Sequence, residues 1–333
     1  MFMLKPVTFA ICGCGCRGLE AYARYQKLHP EKMKIVAGAD VRPERLTMLR
    51  EQYDVPEEMC FASDKEMLTQ PRLADVMIIA TQDQQHVEEA LAALDKGYHL
   101  LLEKPISPRL EECMALLKKA HEAKQAVVVC HVLRYTRFYA ALEALLRRGE
   151  IGKIETIDAV EHVAYWHYAH SYVRGNWRRS EETSPMILAK SCHDMDILRW
   201  LAGERCLKVQ SFGALDYFKP EHAPQGAALR CLDGCACKDS CPYDAEKIYI
   251  SNARSGLRSV GKGWPCSVLV SDPTEESVYE ALRTGPYGRC VYHSDNDVVD
   301  HQTVNMEFEN NITVTFTMTA FTETCHRTVK VTG

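Results

Sequence analysis

No apolar run in this chain approaches the ~20 residues that a membrane span needs, and its opening stretch, residues 1–6, is too short for a secretory signal. It has no dense block of Lys or Arg. With 40 basic against 45 acidic residues and a formal charge of −5, a polybasic surface for nucleic acid or membrane is not expected. Internal repeats and low-complexity tracts are also missing. These absences predict a cytoplasmic protein whose partner is a small molecule. Cysteine is plentiful, at 15 of 333 residues. The odd total, the long chain and the missing signal argue against a disulfide framework and for reduced thiols, with room for one metal site.

A composition of 46% hydrophobic and 26% charged residues is an ordinary globular balance, and the length suffices for two domains with full cores. Residues 7–12 read as a short buried strand that runs into Gly13-Cys14-Gly15-Cys16-Arg17-Gly18 and a helical stretch, 19–28. That is G-x-G-x-x-G in the setting that gives it meaning. The first glycine permits the tight turn, the second lets the backbone approach a pyrophosphate, and the third allows close helix packing. The phosphates face the helix N-terminus, with Cys16 and Arg17 beside them. A second strand, 34–39, ends at Asp40, 22 residues after Gly18. A carboxylate there accepts hydrogen bonds from the adenosine ribose and favours NAD over NADP. Arg42 and Arg45 follow it and would accept a 2′-phosphate, which leaves NADP open.

Strands at 75–80, 98–102 and 126–130 alternate with helices at 87–96, 111–123 and 138–148. The strand 98–102 delivers Glu103-Lys104-Pro105 to the sheet end at which such folds bind ligands. Beyond residue 140 the pattern changes. An alternating segment, 154–163, precedes an aromatic, histidine-rich stretch, 165–177, and a helix is predicted over 186–201. Residues 219–292 read as long loops with short helices. A hairpin turning at Asn310-Asn311 follows, with Val304, Met306 and Phe308 on one arm and Val314, Phe316 and Met318 on the other. The expected fold class is α/β plus α+β: a Rossmann doubly wound parallel sheet over 1–140, then an open, largely antiparallel sheet over 141–333. The last strand, 328–332, abuts the chain end, so part of the native C-terminal sheet is expected to lie beyond Gly333.

Gly13/Gly15/Gly18, Asp40, Ala80-Thr81 with His86, Glu103-Lys104-Pro105, Arg134 and the run His193 to Trp200 occur in an order and spacing that resemble the Gfo/Idh/MocA family of oxidoreductases. The resemblance spans nearly the whole chain. It implies reversible hydride transfer between NAD(P) and a hydroxyl of a sugar, a sugar derivative or a cyclitol. It also implies homo-oligomers, dimers or tetramers, formed through the C-terminal sheet. By the same resemblance Thr81, His86, Glu103 and Arg134 join the glycine turn and Asp40 as cofactor residues, Lys104 lies beside substrate and nicotinamide, and His193 is the histidine of the later helix. Many family members place an aspartate four residues before that histidine. Here the position is Ala189, with Lys190 beside it, so Lys190, Asp194 or a water must supply the missing polar contact.

Removing hydride from a secondary alcohol requires a base for the hydroxyl proton, and Lys104 and His193 are the candidates. For substrate, the stretch after residue 160 offers Tyr165, His167, Tyr172, Arg174 and Trp177, since aromatic faces stack on sugar C–H faces while His and Arg bind hydroxyls or a carboxylate. Lys190 joins them. The polar run 295–302 would close the pocket from the sheet side or form a solvated turn. Cys231-x3-Cys235-x-Cys237-x3-Cys241 is close to the spacing of a tetrahedral thiolate zinc site, with Cys266 or Cys290 able to replace Cys237. Competing activities remain. A redox-assisted glycosidase or lyase would keep tightly bound NAD and release no net reduced cofactor, and a sugar sensor would bind without turnover.

Overall fold

The computed structural model describes residues 5–333; the first four residues of the opening stretch weighed above as a signal lie outside them. The chain divides into two compact units, one ending at Cys130 and the other starting at His131. Among the described residues no helix is long and apolar enough to cross a membrane.

The first unit is a six-stranded sheet in the order β3-β2-β1-β4-β5-β6. Its strands are β1 (Val7–Cys12), β2 (Met33–Ala39), β3 (Cys60–Phe61), β4 (Val76–Ile79), β5 (His99–Leu102) and β6 (Val127–Val129), all parallel. A parallel sheet carries helices on both faces and so reads as near-continuous apolar runs. Here the runs split by the strand period of two. Ile11 and Ile78 enter one layer with Leu19 and Leu49. Ala10, Cys12, Met77 and Ile79 enter the other with Ala90, Leu94 and Leu116. The covering helices are α1 (Arg24–Leu28), entered through a wide-wound segment Cys16–Ala23, then α2 (Pro43–Tyr53), α3 (Asp64–Thr69), α4 (His86–Asp95) and α5 (Leu110–Ala123). The strand order reverses between β1 and β4, which opens a crevice at their carboxyl ends.

The second unit has five strands in the order β11-β7-β10-β9-β8: β7 (Thr156–Ala164), β8 (Cys206–Ala214), β9 (His301–Phe308), β10 (Thr313–Thr322) and β11 (His326–Thr332). Only β7 with β10 pairs parallel, so the sheet is largely antiparallel as expected. The hairpin turns at Asn310 and Asn311, both left-handed at φ 59° and 60°. Asparagine tolerates that region better than most side chains.

Three features go beyond the sequence reading or differ from it. Residues 165–174 are helical, as α7 (Tyr165–Tyr168) continued by a wide-wound segment Ala169–Arg174, after α6 (Arg137–Arg147). The helix predicted over 186–201 is broken into α8 (Met186–Ala189) and α9 (Cys192–Ala202), with Lys190 and Ser191 at the joint. The strand β8 was not anticipated, because it is exposed along its whole length and carries no buried face.

Candidate functional site

In the first unit the carboxyl ends of the strands gather the glycine turn, Asp40, Thr81 and the Glu103-Lys104-Pro105 turn. Gly13 stands at φ +87°, and a Cβ there would meet the Ala80 carbonyl oxygen at 2.5 Å, so the turn after β1 presses on the end of β4. A Cβ on Gly18 would lie 2.2 Å from the Gly13 carbonyl oxygen, which is the close helix packing the third glycine allows. At Gly15 a Cβ would touch nothing within 4 Å. That backbone therefore borders open space beside the first turn of Cys16–Ala23, which fits a pyrophosphate drawn to the amide N–H groups of a helix start.

Asp40 follows β2, and its Oδ1 accepts the Arg42 backbone N–H at 2.9 Å, with the Arg42 guanidinium 3.7 Å away. The carboxylate is thereby oriented, and its second oxygen has capacity for ribose hydroxyls. Arg45 corrects the sequence reading. It is only 2% exposed and its Nη1 donates to Glu20 at 3.2 Å, so it is committed to the packing of α2 and is no candidate for a 2′-phosphate.

The Glu103-Lys104-Pro105 turn is held from three sides. Glu103 is buried; it accepts a short hydrogen bond from the Tyr22 hydroxyl and a 2.9 Å bond from the Lys104 backbone N–H. The Arg17 guanidinium lies 3.7 Å from it. Burial first, then the Glu103 carboxylate, pushes the Tyr22 phenol far above its ordinary range, so it stays a donor. His86, 1% exposed, places Nδ1 2.7 Å from the Pro105 carbonyl and Nε2 3.3 Å from that of Thr81. Glu103 and His86, expected as cofactor contacts, are thus engaged in fixing the turn that carries Lys104. Thr81 donates through Oγ1 to Glu89 at 2.7 Å. Burial pushes the Glu89 carboxyl up to about 8, with the Thr81 hydrogen bond opposing it. Tyr22 and Glu89 were missed; the one signal for Tyr22 was its place one helical turn after Gly18.

In the second unit α9 is tied down around His193. Arg134, expected to contact cofactor, is bidentate to Asp196, Nε to Oδ2 at 2.7 Å and Nη2 to Oδ1 at 2.6 Å, and lies over the Trp200 ring. Lys190 places Nζ 3.2 Å from Glu161 Oε1. The Arg327 Nε stands 2.7 Å from both Glu161 Oε2 and Asp194 Oδ1, with its hydrogen directed at Asp194. Burial works against the Arg327 charge, and the Asp194 and Glu161 carboxylates overcome it. Burial raises the Glu161 pKa, while Lys190 and Arg327 oppose that rise. His193 is buried, edge-on to His131 with ring centres 6.0 Å apart. Glu161 and Arg327 lie far apart in sequence, and nothing in the chain pattern paired them.

The aromatic stretch is more buried than a sugar platform would be. Tyr172 packs against Tyr168 and Trp177. Tyr165 accepts a hydrogen bond from Asn252 at 2.8 Å. His167 sits 3.2 Å from the Cys325 sulfur, and burial, then Lys190, drives its pKa well down. Arg174 turns inward at 1% exposure, its Nε on the Arg289 carbonyl, so it cannot serve substrate. The aspartates of the polar run 295–302 are taken up by structural ties: Asp295 to Arg178, Asp297 to Ser180, and Asp300 to the backbone of Asp216 and Tyr217. A cavity of about 120 Å³ beside Ser180, Met186, Asp297 and Gln302 has room for a few waters.

For the cysteines, no group of three or more His, Cys, Asp or Glu among the described residues is arranged to hold a metal ion as the side chains stand. Their thiols are turned to other partners: Cys237 to the Gln225 carbonyl, Cys266 to those of Tyr249 and Ser255, while Cys231 receives the Arg174 guanidinium.

Two family models match the chain. One, described as the oxidoreductase family's NAD-binding Rossmann fold, covers residues 7–131, and the other, described as the oxidoreductase family's C-terminal alpha/beta domain, covers 143–333. The Bacillus subtilis protein YteT is 22% identical over 326 residues, which are 95% of this chain and 72% of YteT. A 2,7-anhydro-N-acetylneuraminate hydratase of Escherichia coli is 26% identical over 60% of this chain and 50% of its own length. Among solved structures, the WlbA dehydrogenase of Chromobacterium violaceum, in complex with NADH and UDP-GlcNAcA, superposes with a TM-score of 0.66 at 17% identity over 100% of this chain and 74% of that one. At that identity the likeness speaks for the fold.

Proposed function

The chain belongs to the Gfo/Idh/MocA oxidoreductase family, and from that premise we propose that it transfers hydride between NAD and a secondary hydroxyl of a sugar, a sugar derivative or a cyclitol. The observation that carries the reading is the convergence in the first unit: open space at Gly15, an oriented Asp40 carboxylate, and a lysine on a turn clamped by Glu103 and His86. NAD, once bound, supplies the hydride acceptor. The turn from Gly13 to Gly18, with Cys16 and Arg17, holds its phosphates, Asp40 its ribose, and Thr81 borders it.

The chain's own residues then handle the proton. Lys104 takes the hydroxyl proton as the alcohol is oxidised and returns it in the reverse direction. His193 serves the same path, on a helix fixed by Arg134–Asp196 and Arg327–Asp194 so that its ring orientation is set before substrate arrives. Of the substrate candidates, the half-buried Tyr165, His167, Trp177 and Lys190 shape the substrate side, with Tyr172 packed behind them. The edge strand β8 exposes Leu207, Val209 and Phe212, which supports a homo-oligomer formed through the second sheet.

A second reading, redox-assisted elimination or hydrolysis with retained NAD, has its own support. The E. coli relative is named a hydratase, and in this chain the Lys190–Glu161 pair stands beside the position where many family members carry an aspartate. A screen of free sugars, cyclitols and glycosides, read by both reduced-cofactor absorbance and product analysis, tests both. Substrate consumed with stoichiometric NADH supports the dehydrogenase; product formed without NADH supports the second reading.

A further inference from the structure

Aromatic rings hold His167 on several sides. Trp166 stacks on it with ring centres 5.8 Å apart, Trp264 meets it edge-on at 4.9 Å, and Tyr172 lies at 6.2 Å. These contacts fix where the half-buried ring lies, but ring packing does not choose which nitrogen carries the proton. A neutral imidazole has one N–H donor and one bare acceptor nitrogen, and a hydrogen bond at either one decides the other. That bond falls to Cys325, whose Sγ lies 3.2 Å from Nδ1. The turn carrying Cys325 joins β10 to β11 and is fastened to the end of β7. Thr322 donates through Oγ1 to the Val163 carbonyl at 3.1 Å, and the Ala164 N–H donates to the Cys325 sulfur at 3.3 Å.

The surroundings set the direction of the Cys325–His167 bond. Burial first, then Lys190, His170 and Arg327, holds the His167 pKa well below its ordinary value. The ring is therefore neutral through the range in which an unperturbed histidine titrates, and it keeps one bare nitrogen. That nitrogen is a better acceptor than a thiol sulfur, which accepts only weakly. The sulfur already takes the Ala164 N–H, and its own S–H is the group left to give. The adjacent His326 does not compete for it, since its Nδ1 is engaged by Thr324 and its ring stacks on His162 at 4.1 Å. The favoured arrangement is S–H donating to a bare Nδ1, which puts the ring proton on Nε2.

We propose that Cys325 is a positioning residue that fixes His167 as a neutral Nε2–H donor for a hydroxyl or carbonyl oxygen of the bound substrate. The donor role rests on the reading that His167 faces substrate; the tautomer does not. A neutral donor keeps the same partner across the pH range in which an ordinary histidine would change charge. Without the S–H, the ring proton can move to Nδ1, and the bare Nε2 then turns a lone pair toward the ligand oxygen and leaves that contact unmade. His167 exchanges no proton with substrate in this role, so the loss of Cys325 falls on binding rather than on the proton path of Lys104 and His193.

Long-range ¹H–¹⁵N correlation spectra of the chain labelled at histidine report the tautomer, with the His167 signals assigned from His167→Gln. The native chain is expected to show His167 in the Nε2–H form, unchanged down to about pH 5.5. Cys325→Ser should keep that form and Cys325→Ala should lose it to a mixture of the two. With the free sugars and cyclitols of the screen as probes, Cys325→Ala should raise KM, or Kd for a probe bound without turnover, about three- to tenfold. Its kcat should change little, and Cys325→Ser should restore binding. The native spectrum carries the tautomer test even if Cys325→Ala does not fold. An Nδ1–H form in the native chain, or an unaltered tautomer in Cys325→Ala, overturns the proposal. The expected tautomers with unchanged KM and Kd overturn the donor role. Absence of hydride transfer sinks only the dehydrogenase reading, because neither the spectra nor Kd depend on it.

Discussion

Lys190 Nζ lies 3.2 Å from Glu161 Oε1, both side chains largely withdrawn from water. Lys190 occupies the joint between α8 and α9, directly after the alanine that stands where many family members carry an aspartate. The break in the helix turns Lys190 toward β7 rather than letting it continue the helical face. Glu161 also contacts Arg327, which is paired with Asp194 next to His193. Two cations and two carboxylates thus close on themselves at the start of the histidine helix.

Removing one partner of such a buried group leaves an uncompensated charge, at a cost of about 3–5 kcal/mol. Lys190→Met should therefore lower the urea midpoint sharply, and the double variant Lys190→Met/Glu161→Gln should recover much of the loss. Additive losses in the double variant would show that the two residues are not energetically paired.

Glu89 gives stability a pH dependence of definite sign. Its folded pKa of about 8 lies above the ordinary 4.5, so the folded chain holds the proton longer than the unfolded chain. The stabilisation is whole below about 4.5 and is lost as pH rises through about 8. At ~1.4 kcal/mol per pKa unit this amounts to a few kcal/mol at most. Unfolding measured across that window should show the native chain weakening with pH more steeply than Glu89→Gln. Identical slopes would mean that Glu89 ionises normally inside the fold.

Asp40 sets the expected preference for NAD. In Asp40→Ala the affinity for NAD should fall by about 1–3 kcal/mol, the usual cost of losing hydrogen bonds to a charged group, while NADP binding holds or improves through Arg42. Titration of both nucleotides gives the ratio. An unchanged ratio would remove the ribose assignment.

Much of this was legible in sequence wherever a single local rule decides. The glycine turn, the strand ending at Asp40 and the Asn310-Asn311 hairpin each carry their own signal in spacing or backbone demand. The failures are of another kind. Arg45 and Arg174 were read as ligand-facing from residue type and position, yet both are buried and taken up by partners distant in sequence, Glu20 and the Arg289 carbonyl. Glu103 and His86 were placed at the right turn, and only the fold shows that they also bond to Tyr22 and Pro105 and so brace it. The strand β8 escaped because periodicity reports burial, and it has none.

The central claim is that Lys104 and His193 serve one proton path. The decisive measurement is turnover of Lys104→Ala, His193→Ala and the double variant on a substrate identified by the screen, with nucleotide affinity measured alongside. Each single change should cost on the order of 10² to 10⁴ in kcat with NAD affinity nearly unchanged, and the double should lose far less than the product of the two. Unimpaired turnover in Lys104→Ala, or losses that multiply in the double variant, would contradict the account.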